Sequence, residues 1–429
     1  MRVHLKTLGC RLNEAEIESW ASDFTSQGHP ITQDEQDADI LVVNTCAVTQ
    51  GAVRKSRQLV RKSQKANPQA KLVLSGCYAT LNTEEATSIE GVDLLVNNTQ
   101  KDELVKLTLE SLNENAMPNI STEPGEVALF SRGRQRAFIK VQDGCRYRCT
   151  FCIVTIARGD EKSKKIEDII NEVNNAHNSG INEIIITGVH LGGYGSDIDS
   201  NLYELVRALI EKTTIPRIRM GSLEPWDLPE NFFDLFSNPR LMPHMHLPIQ
   251  SGSDSVLKRM ARRCKTEEFR QLVQRARASI PDLHITTDII VGFSGETEEE
   301  WQDTLKFVKE MEFAHIHIFS YSKRDGTKAA GLPNQVDEAT KKTRSKTLHI
   351  LANSLKLQGI EKMMRKDVSI LWEEKKPGVN NEQYTYFGYT PNYTRIKATT
   401  NKDIELTNQI TTHQIKGIRD GMPYIEVGL

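Results

Sequence analysis

Between residues 145 and 152 the chain reads Cys145-Arg146-Tyr147-Arg148-Cys149-Thr150-Phe151-Cys152, a Cys-x-x-x-Cys-x-x-Cys motif. The motif directly follows a predicted strand at Ala137–Val141, and active sites of α/β proteins lie at the carboxyl ends of such strands. Three thiolates on one loop can hold three irons of a cubane 4Fe–4S cluster, which leaves the fourth iron open to substrate. The alternative is a zinc knuckle, although structural zinc usually has four protein ligands.

Strands and helices alternate after this motif. Strands are predicted at Ala137–Val141, Glu183–Thr187, Arg217–Gly221, His244–Ile249, His284–Val291 and His315–Tyr321. Helices are predicted at Ile166–Ala176, Leu202–Lys212, near Phe232, at Thr266–Ala278 and at Thr297–Glu310. A closed eight-stranded barrel needs two more strands, so the pattern predicts a partial (β/α)6 barrel, followed by a long helix over Ala339–Met364.

The first hundred residues also alternate between strands and helices, which predicts a parallel sheet. Three short segments each end a predicted strand with a cysteine: Leu8-Gly9-Cys10, Asn44-Thr45-Cys46 and Ser75-Gly76-Cys77. Carboxyl ends of parallel strands share one edge, and neighbouring strands lie about 4.8 Å apart. We therefore expect these thiols to converge on a second 4Fe–4S cluster. The alternative is three buried, inert cysteines.

The length and charge of the chain limit the kinds of protein that it can be. The chain has 429 residues, with 55 Lys and Arg against 57 Asp and Glu, which predicts several domains and excludes a uniformly basic surface. No run of about 18 apolar residues and no signal peptide are recognisable, so we expect a cytoplasmic protein without membrane contact. In a reducing compartment clustered cysteines indicate metal binding rather than disulfides.

From Asp367 onward short β-type runs and turn residues predict a small OB-like β-barrel. Its aromatic residues fit stacking on single-stranded RNA, with Arg395 and Lys397 as cations, although Tyr384 and Tyr386 are better explained as core. The predicted domains are an N-terminal βα domain at 1–112, a linker at 113–131, the partial barrel at 132–365 and the small barrel at 366–429.

The cysteine motif resembles that of the radical S-adenosylmethionine (radical SAM) superfamily. This resemblance implies a partial (β/α)6 barrel in which Cys145, Cys149 and Cys152 hold a catalytic cluster that binds S-adenosylmethionine and reductively cleaves it to a radical. It further implies that Phe151 lies by the adenine of that cofactor. Four other segments resemble parts of the cofactor pocket, and they supply the candidates Thr187, Gly188, Ser222, Glu224, Gln250 and Arg262.

The two sets of cysteines together resemble the methylthiotransferase branch of that superfamily, over nearly the whole chain. Thr7-Leu8-Gly9-Cys10-Arg11-Leu12-Asn13 matches the opening motif of this branch, and the C-terminal barrel matches its TRAM domain, an RNA-binding module. The motif favours the enzymes that act on N-6-threonylcarbamoyladenosine in tRNA. The enzymes that act on isopentenyl-adenosine usually have Gln-Met between the Cys and the Asn, and those that act on a ribosomal-protein aspartate usually have Pro-Lys.

Two positions depart from the pattern of the family. Cys264 stands where tyrosine is common, and Ser294 stands where proline is common. Neither change removes an expected ligand, and Cys264 has no neighbouring cysteine in sequence. We expect Cys264 to pack in the core.

The resemblance therefore implies a tRNA methylthiotransferase that adds a methylthio group to C2 of N-6-threonylcarbamoyladenosine beside the anticodon. Two 4Fe–4S clusters and S-adenosylmethionine would be its cofactors. Its partners would be the tRNA anticodon stem-loop, an electron donor such as flavodoxin or ferredoxin, and a sulfur donor. Alternatives are the isopentenyl-adenosine and ribosomal-protein branches and, in another class, a non-catalytic zinc RNA-binding protein. A threonylcarbamoyl carboxylate requires Arg or Lys in its pocket, whereas an isopentenyl group requires apolar side chains.

Overall fold

A computed structural model describes residues 1–112, 135–378 and 383–427. The predicted linker at 113–131 lies outside the described residues. The described residues form an N-terminal domain, a middle domain and a C-terminal domain. No helix in these ranges combines the length and apolarity that a membrane crossing requires.

The N-terminal domain is a four-stranded parallel sheet in the order β1-β2-β3-β4. Its strands are β1 Val3–Thr7, β2 Ile40–Thr45, β3 Lys71–Gly76 and β4 Val92–Val96. Its helices are α1 Arg11–Ser26, α2 Gln50–Ala66, α3 Cys77–Leu81, α4 Thr83–Thr87 and α5 Leu104–Leu112, with 3-10 turns at Glu35–Asp37 and Lys101–Glu103.

Helices cover both faces of this sheet, which explains why β2 is buried along its whole length. Leu41 and Val43 face one core cluster together with Val60 of α2. Val42 faces the other cluster together with Trp20 and Phe24 of α1. The sheet is therefore fixed on both sides, and its carboxyl edge is held in place.

The middle domain contains two three-stranded parallel sheets, β5-β8-β9 and β10-β11-β12, and a small antiparallel pair, β6-β7. Single bridges join β9 to the β10 region, at Ile218–Leu241 and Ser222–His246. The strands are β5 Arg136–Lys140, β6 Gln142–Asp143, β7 Lys162–Ser163, β8 Glu183–Thr187, β9 Arg217–Met220, β10 His244–His246, β11 His284–Val291 and β12 His315–Ser320.

Helices connect the strands of this domain, and most of them pack on the outer face of the sheets. They are α6 Val154–Arg158, α7 Ile166–Asn178, α8 Leu202–Lys212, α9 Asp254–Arg259, α10 Thr266–Ser279, α11 Glu298–Met311 and α12 Glu338–Glu361, with 3-10 turns at Leu191–Gly193, Glu230–Ser237 and Lys328–Gly331.

Alternate strand residues point to opposite faces of these sheets. Residues such as Ile186, Met220 and Ile285 join the large apolar core beneath the helices. The intervening positions include polar residues such as Arg219 and His246, and they form an inner face on which side chains from different strands contact one another. The inner face is therefore available for chemistry, while the outer face provides the stability of the domain.

The predicted strands at Glu183–Thr187 and His284–Val291 are confirmed to the residue. The strand predicted at His244–Ile249 ends at His246 instead, because Pro248 has no backbone N–H for a strand ladder. The short helices α3 and α6 were not predicted, since five residues are too few to show a helical period.

The C-terminal domain is one six-stranded, mainly antiparallel sheet in the order β16-β13-β14-β15-β18-β17. Its strands are β13 Asp367–Pro377, β14 Gln383–Tyr389, β15 Arg395–Asn401, β16 Ile410–Gln414, β17 Gly417–Arg419 and β18 Met422–Val427. Trp372 and Tyr386 fill its core, which confirms the core interpretation of Tyr386. Within the described ranges the edge strands β16 and β17 do not pair with each other, so a sheet is observed rather than a closed barrel.

Candidate functional site

Three cysteines gather at the carboxyl edge of the N-terminal sheet. Thr7 pairs with Asn44, and Asn44 pairs with Ser75, so that Cys10, Cys46 and Cys77 follow the ends of three adjacent strands. Cys10 is exposed, whereas Cys46 and Cys77 are buried, and no disulfide joins them. The structure thus brings these three thiols to one place, as the strand pattern predicted.

Glycines allow this close approach. Gly9 has a φ of +129°, and a Cβ built on it would lie 3.2 Å from Cys46 Sγ. Gly76 has a φ of +95°, and a Cβ there would lie 2.3 Å from the carbonyl oxygen of Thr45. These glycines bring neighbouring chain segments together in a backbone conformation that other residues rarely adopt.

The second set of cysteines lies on the loop between β6 and α6. The amide of Val154 lies 3.4 Å from Cys152 Sγ, and the Cys152 amide donates to the carbonyl of Cys149 at 3.0 Å. The amide of Thr150 donates to Met260 O at 3.0 Å, which ties the loop to the end of α9. All three cysteines of the loop are partly exposed and free of disulfides.

Helix α6 connects the two sets of thiols. At its start, the Val154 amide faces Cys152. At its end, the guanidinium of Arg158 interacts electrostatically with both Cys10 and Cys77. Asn98 completes the link, because its Nδ2 donates to Ala157 O at 2.7 Å and lies 3.7 Å from Cys77 Sγ. Because α6 has only five residues, the two sets of thiols lie near its two ends.

A buried ion cluster holds α6 against the N-terminal domain. Arg158 donates to Glu16 Oε1 at 2.8 Å and to Asp143 Oδ1 at 3.1 Å, and Lys101 lies 2.6 Å from Glu16 Oε1. Arg158 also donates to the side chain of Asn13 at 2.8 Å. Glu16 is fully buried, and desolvation opposes its charge, yet Arg158 and Lys101 hold its pKa well below the ordinary range.

Burial makes four of the six thiols harder to ionise, because it raises the pKa of Cys10, Cys46, Cys145 and Cys152. Burial raises the pKa of Cys46 to about 11, of Cys145 to about 12 and of Cys152 to about 11. Desolvation by the surrounding protein also raises the pKa of the Cys10 thiol, and the charge of Arg158 opposes this shift. A thiol of this kind loses its proton when a metal ion binds it. Both sets of thiols therefore suit a metal better than a free thiolate role.

The structure places Arg262 directly beside the second set of thiols. Arg262 Nη1 lies 3.7 Å from Cys149 Sγ, Nη2 donates to Pro248 O, and the guanidinium lies 4.3 Å from the ring centroid of Trp226. Its Nε is buried without a hydrogen-bond partner among the described residues. Arg262 therefore retains an unsatisfied donor at this site.

The other predicted cofactor contacts surround the same loop. Glu224 is buried, and burial raises its pKa. Its negative charge contributes to the raised pKa of Cys145, and its carboxylate accepts a hydrogen bond from the Gly192 amide at 3.3 Å. Phe151 packs edge-on against Phe293. Gln250 adopts a φ of +80° and bonds the backbone of Asp288. Thr187, Gly188 and Ser222 lie at the carboxyl ends of β8 and β9, with Gly188 close to Gln142 and Ser222 bridged to His246.

His190 and its partners form a network that sequence reasoning missed. The His190 ring bonds Glu161 through Nδ1 and lies 2.7 Å from Asp227 through Nε2, and Tyr147 donates to Asp227 at 2.8 Å. Burial opposes a charge on His190, but the three neighbouring carboxylates raise its pKa. This network anchors the cysteine loop through Tyr147. Only the position of His190 after a strand signalled it, because Glu161 and Asp227 lie in unremarkable loops.

Residues 390–393 of the C-terminal domain contact the inner face of the middle domain. Arg219 donates to the carbonyls of Thr390 and Pro391, and Arg136 donates to Tyr393 Oη at 3.1 Å. Tyr389 stacks on Tyr393 with ring centroids 4.9 Å apart. The two tyrosines therefore contribute to a contact between domains.

Comparisons with known proteins agree with this architecture. Residues 139–308 match the Radical SAM superfamily, and residues 2–97 match the Uncharacterized protein family UPF0004. The chain covers 77% of TsrM from Kitasatospora setae, a radical S-adenosylmethionine methyltransferase, with a TM-score of 0.57 at 13% identity and 77% of this chain matched. At 13% identity this likeness shows the fold alone.

The curated relatives are much closer in sequence. Identity is 35% to the threonylcarbamoyladenosine tRNA methylthiotransferase MtaB of Bacillus subtilis, over 99% of this chain and 95% of the relative. It is 37% to the MtaB of Thermotoga maritima, over 86% of each chain. It is 33% to the tRNA-2-methylthio-N(6)-dimethylallyladenosine synthase of Staphylococcus haemolyticus, over 86% of this chain and 74% of the relative.

Membership of the superfamily implies S-adenosylmethionine and 4Fe–4S iron–sulfur chemistry. The near-complete coverage extends this assignment beyond the middle domain to the whole chain. The chain therefore belongs to the radical SAM superfamily and, within it, to the threonylcarbamoyladenosine tRNA methylthiotransferase (MtaB) family.

Proposed function

We propose that this protein adds a methylthio group to C2 of N-6-threonylcarbamoyladenosine next to the anticodon of tRNA. The observation that carries the proposal is the position of two sets of three thiols at opposite ends of α6. Two reactive centres so close together suit a reaction that needs both a radical and a sulfur atom at one carbon. The relatives named MtaB support the choice of substrate.

Each set of thiols suits a 4Fe–4S cluster with one open iron, because three sulfur donors and no fourth cysteine lie together in each place. Cys145, Cys149 and Cys152 would hold the catalytic cluster, and Cys10, Cys46 and Cys77 the auxiliary one. When bound, these groups and S-adenosylmethionine supply the radical, the sulfur and the methyl group.

Side chains around the cysteine loop would bind S-adenosylmethionine. Arg262 offers a guanidinium beside Cys149, which suits the carboxylate of the methionine part. Glu224 offers a buried acceptor beside Cys145, which suits an ammonium or ribose hydroxyl. Phe151 offers a ring edge to the adenine. Thr187, Gly188, Ser222 and Gln250 would complete this pocket at the carboxyl ends of the strands.

We assign the finer architecture accordingly. Residues 1–112 would form the auxiliary-cluster domain, 132–365 a partial (β/α)6 barrel and 366–429 an OB-like TRAM barrel, joined by a linker at 113–131. The strand order β5-β8-β9 followed by β10-β11-β12, with single bridges between the halves, supports a barrel of six parallel strands. An electron donor such as flavodoxin or ferredoxin and a sulfur donor would serve the two clusters.

Helix α2 offers a surface for the anticodon stem. It contains six basic residues and no acidic one, and five of them are exposed without an ion pair among the described residues: Arg54, Lys55, Arg61, Lys62 and Lys65. Its first residue, Gln50, donates to Lys323 O at 3.1 Å, so that the helix begins beside the loop after β12. A row of unpaired cations near the site suits RNA phosphates.

The variant Arg61→Glu/Lys62→Glu tests this surface. We expect binding of a fluorescent anticodon stem-loop RNA to weaken about 10-fold or more and its salt dependence to fall, because each lost phosphate contact reduces counterion release. The control is Lys306→Glu/Lys309→Glu on the acidic helix α11. Equal effects of the two variants would exclude α2 as the binding surface.

Iron analysis tests the cluster assignment. The reconstituted protein should hold about eight irons per chain, and a Cys10, Cys46 and Cys77 triple alanine variant about four. Stoichiometric zinc without a visible chromophore would instead support a non-catalytic RNA-binding protein.

Nucleoside analysis tests the substrate. We expect tRNA from a deletion strain to lose the methylthio group from threonylcarbamoyladenosine alone. Loss from isopentenyl-adenosine would support the second candidate, which the Staphylococcus haemolyticus relative favours.

A further inference from the structure

We propose that Arg11 binds the carboxylate of the threonylcarbamoyl group and thereby selects the substrate, an inference that rests on the proposed function. Arg11 is the first residue of α1 and directly follows Cys10. Its guanidinium points toward the inner face of the middle domain, where it lies 5.8 Å from the ring centroid of Phe138 on β5 and 5.5 Å from that of Tyr393. A residue there lies beside the auxiliary thiols and also reaches the space between the domains.

The acidic groups of the inner face already have cationic partners. Glu183 accepts two hydrogen bonds from Arg219, at 2.8 and 3.1 Å. Glu373 accepts from Arg136, with one bond of 3.0 Å. Asp288 lies 3.3 Å from His246 Nε2. Those cations are therefore unavailable for a bound acid unless an existing pair breaks.

Arg11 differs from these cations. Its one recorded hydrogen bond among the described residues runs from Nη2 to Tyr393 Oη, at 2.9 Å, and no carboxylate of those residues lies within 4.0 Å of it. The residue is only partly exposed. A guanidinium has five N–H donors in a planar fork, so Arg11 keeps a pair of donors for a bidentate bond to a carboxylate.

The position of Arg11 at the start of a helix is electrostatically unfavourable for a cation. Arg11 lies in the first turn of α1, where the positive end of the helix dipole disfavours a positive charge. The pKa values of His244 and His317 are lowered mainly by desolvation, and the positive charge of Arg11 lowers them further. Arg11 therefore adds positive charge to a space that already disfavours it. An anion that enters this space would relieve this repulsion, whereas an apolar group would leave Arg11 unpaired.

The test compares anticodon stem-loop RNAs that differ only at the modified adenosine. One carries threonylcarbamoyladenosine, the other carries its threonyl carboxylate as the neutral primary amide. Equilibrium binding to the reconstituted holoenzyme is measured by fluorescence anisotropy, and iron content is matched between proteins. The affinity for the acid RNA is divided by the affinity for the amide RNA, separately for each protein. A variant that weakens binding of both RNAs equally therefore leaves this acid-to-amide ratio unchanged.

We expect the wild-type protein to prefer the acid by about 10- to 100-fold, as a charged bidentate hydrogen bond implies. Arg11→Gln should reduce this ratio to about one, and Arg11→Lys should keep part of it because the charge remains. Tyr393→Phe is the matched control: it removes the hydroxyl partner of Arg11 but keeps the guanidinium, so the ratio should persist.

An unchanged acid-to-amide ratio in Arg11→Gln would overturn the assignment of Arg11 even if the protein methylthiolates threonylcarbamoyladenosine. A wild-type ratio near one would overturn it as well. Should Arg11→Gln fail to fold or to hold iron, the wild-type ratio and the ratio of Arg11→Lys still decide. The proposed function fails separately, if wild-type protein forms no methylthio product on the acid RNA by mass spectrometry.

Discussion

Replacing Glu16 by Gln should loosen the N-terminal domain from the middle domain. The change removes one negative charge from a buried cluster and leaves Arg158 and Lys101 with Asp143 as their shared carboxylate partner. Breaking a fully buried ion pair costs about 3–5 kcal/mol. The remaining carboxylate of Asp143 offsets part of this cost, so we expect about 3 kcal/mol.

Hydrogen exchange followed by mass spectrometry measures this effect domain by domain. Peptides that cover β2 should lose protection equivalent to about 3 kcal/mol, whereas peptides that cover β11, in the middle domain, should change little. The control is Glu211→Gln, whose exposed partner Arg207 lies 3.9 Å away. That change should cost about 0.5 kcal/mol or less. A loss below about 1 kcal/mol in Glu16→Gln would refute the reasoning.

Three further outcomes follow from the same structure. Because the pKa of Glu16 is lowered in the folded protein, its charge stabilises the fold above the ordinary Glu pKa of about 4.3, and this stabilisation is lost as pH falls below that value. Acidification from pH 5 to 3 should therefore lower the melting temperature more in the wild-type protein than in Glu16→Gln. Gly76→Ala should cost at least about 1–3 kcal/mol in urea unfolding, because of its φ of +95° and the nearby Thr45 carbonyl, whereas Gly51→Ala within α2 should be neutral or stabilising. Cys264→Ala should keep the full iron content in metal analysis, since Cys264 lies in the apolar core.

Much of the fold follows from local sequence patterns. The strand Glu183–Thr187 is bounded correctly because its apolar run stops at Thr187, where Gly188 follows. The convergence of Cys10, Cys46 and Cys77 follows from strand parallelism alone, since equivalent ends of parallel strands must meet.

Contacts between domains have no such local signal. Tyr393 looks like any exposed aromatic residue in sequence, yet it contacts Arg11, Arg136 and Arg219 from two other domains. The pairing of Glu16 with Arg158 joins residues 142 positions apart. The C-terminal strands β16 and β17 also lack a local signal, because they are short runs of mainly polar or small side chains, which resemble loops.

The short helix α6 limits which insertions, deletions and substitutions the chain can tolerate. It fixes the spacing between Cys152 and Arg158, and therefore between the loop cysteines and the thiols at the sheet edge. One residue inserted there would lengthen the segment by about 1.5 Å and rotate its end by about 100°. Arg158 would then turn away from Glu16, so that insertion or deletion in this segment should be far less tolerated than substitution at its exposed residue Ile156.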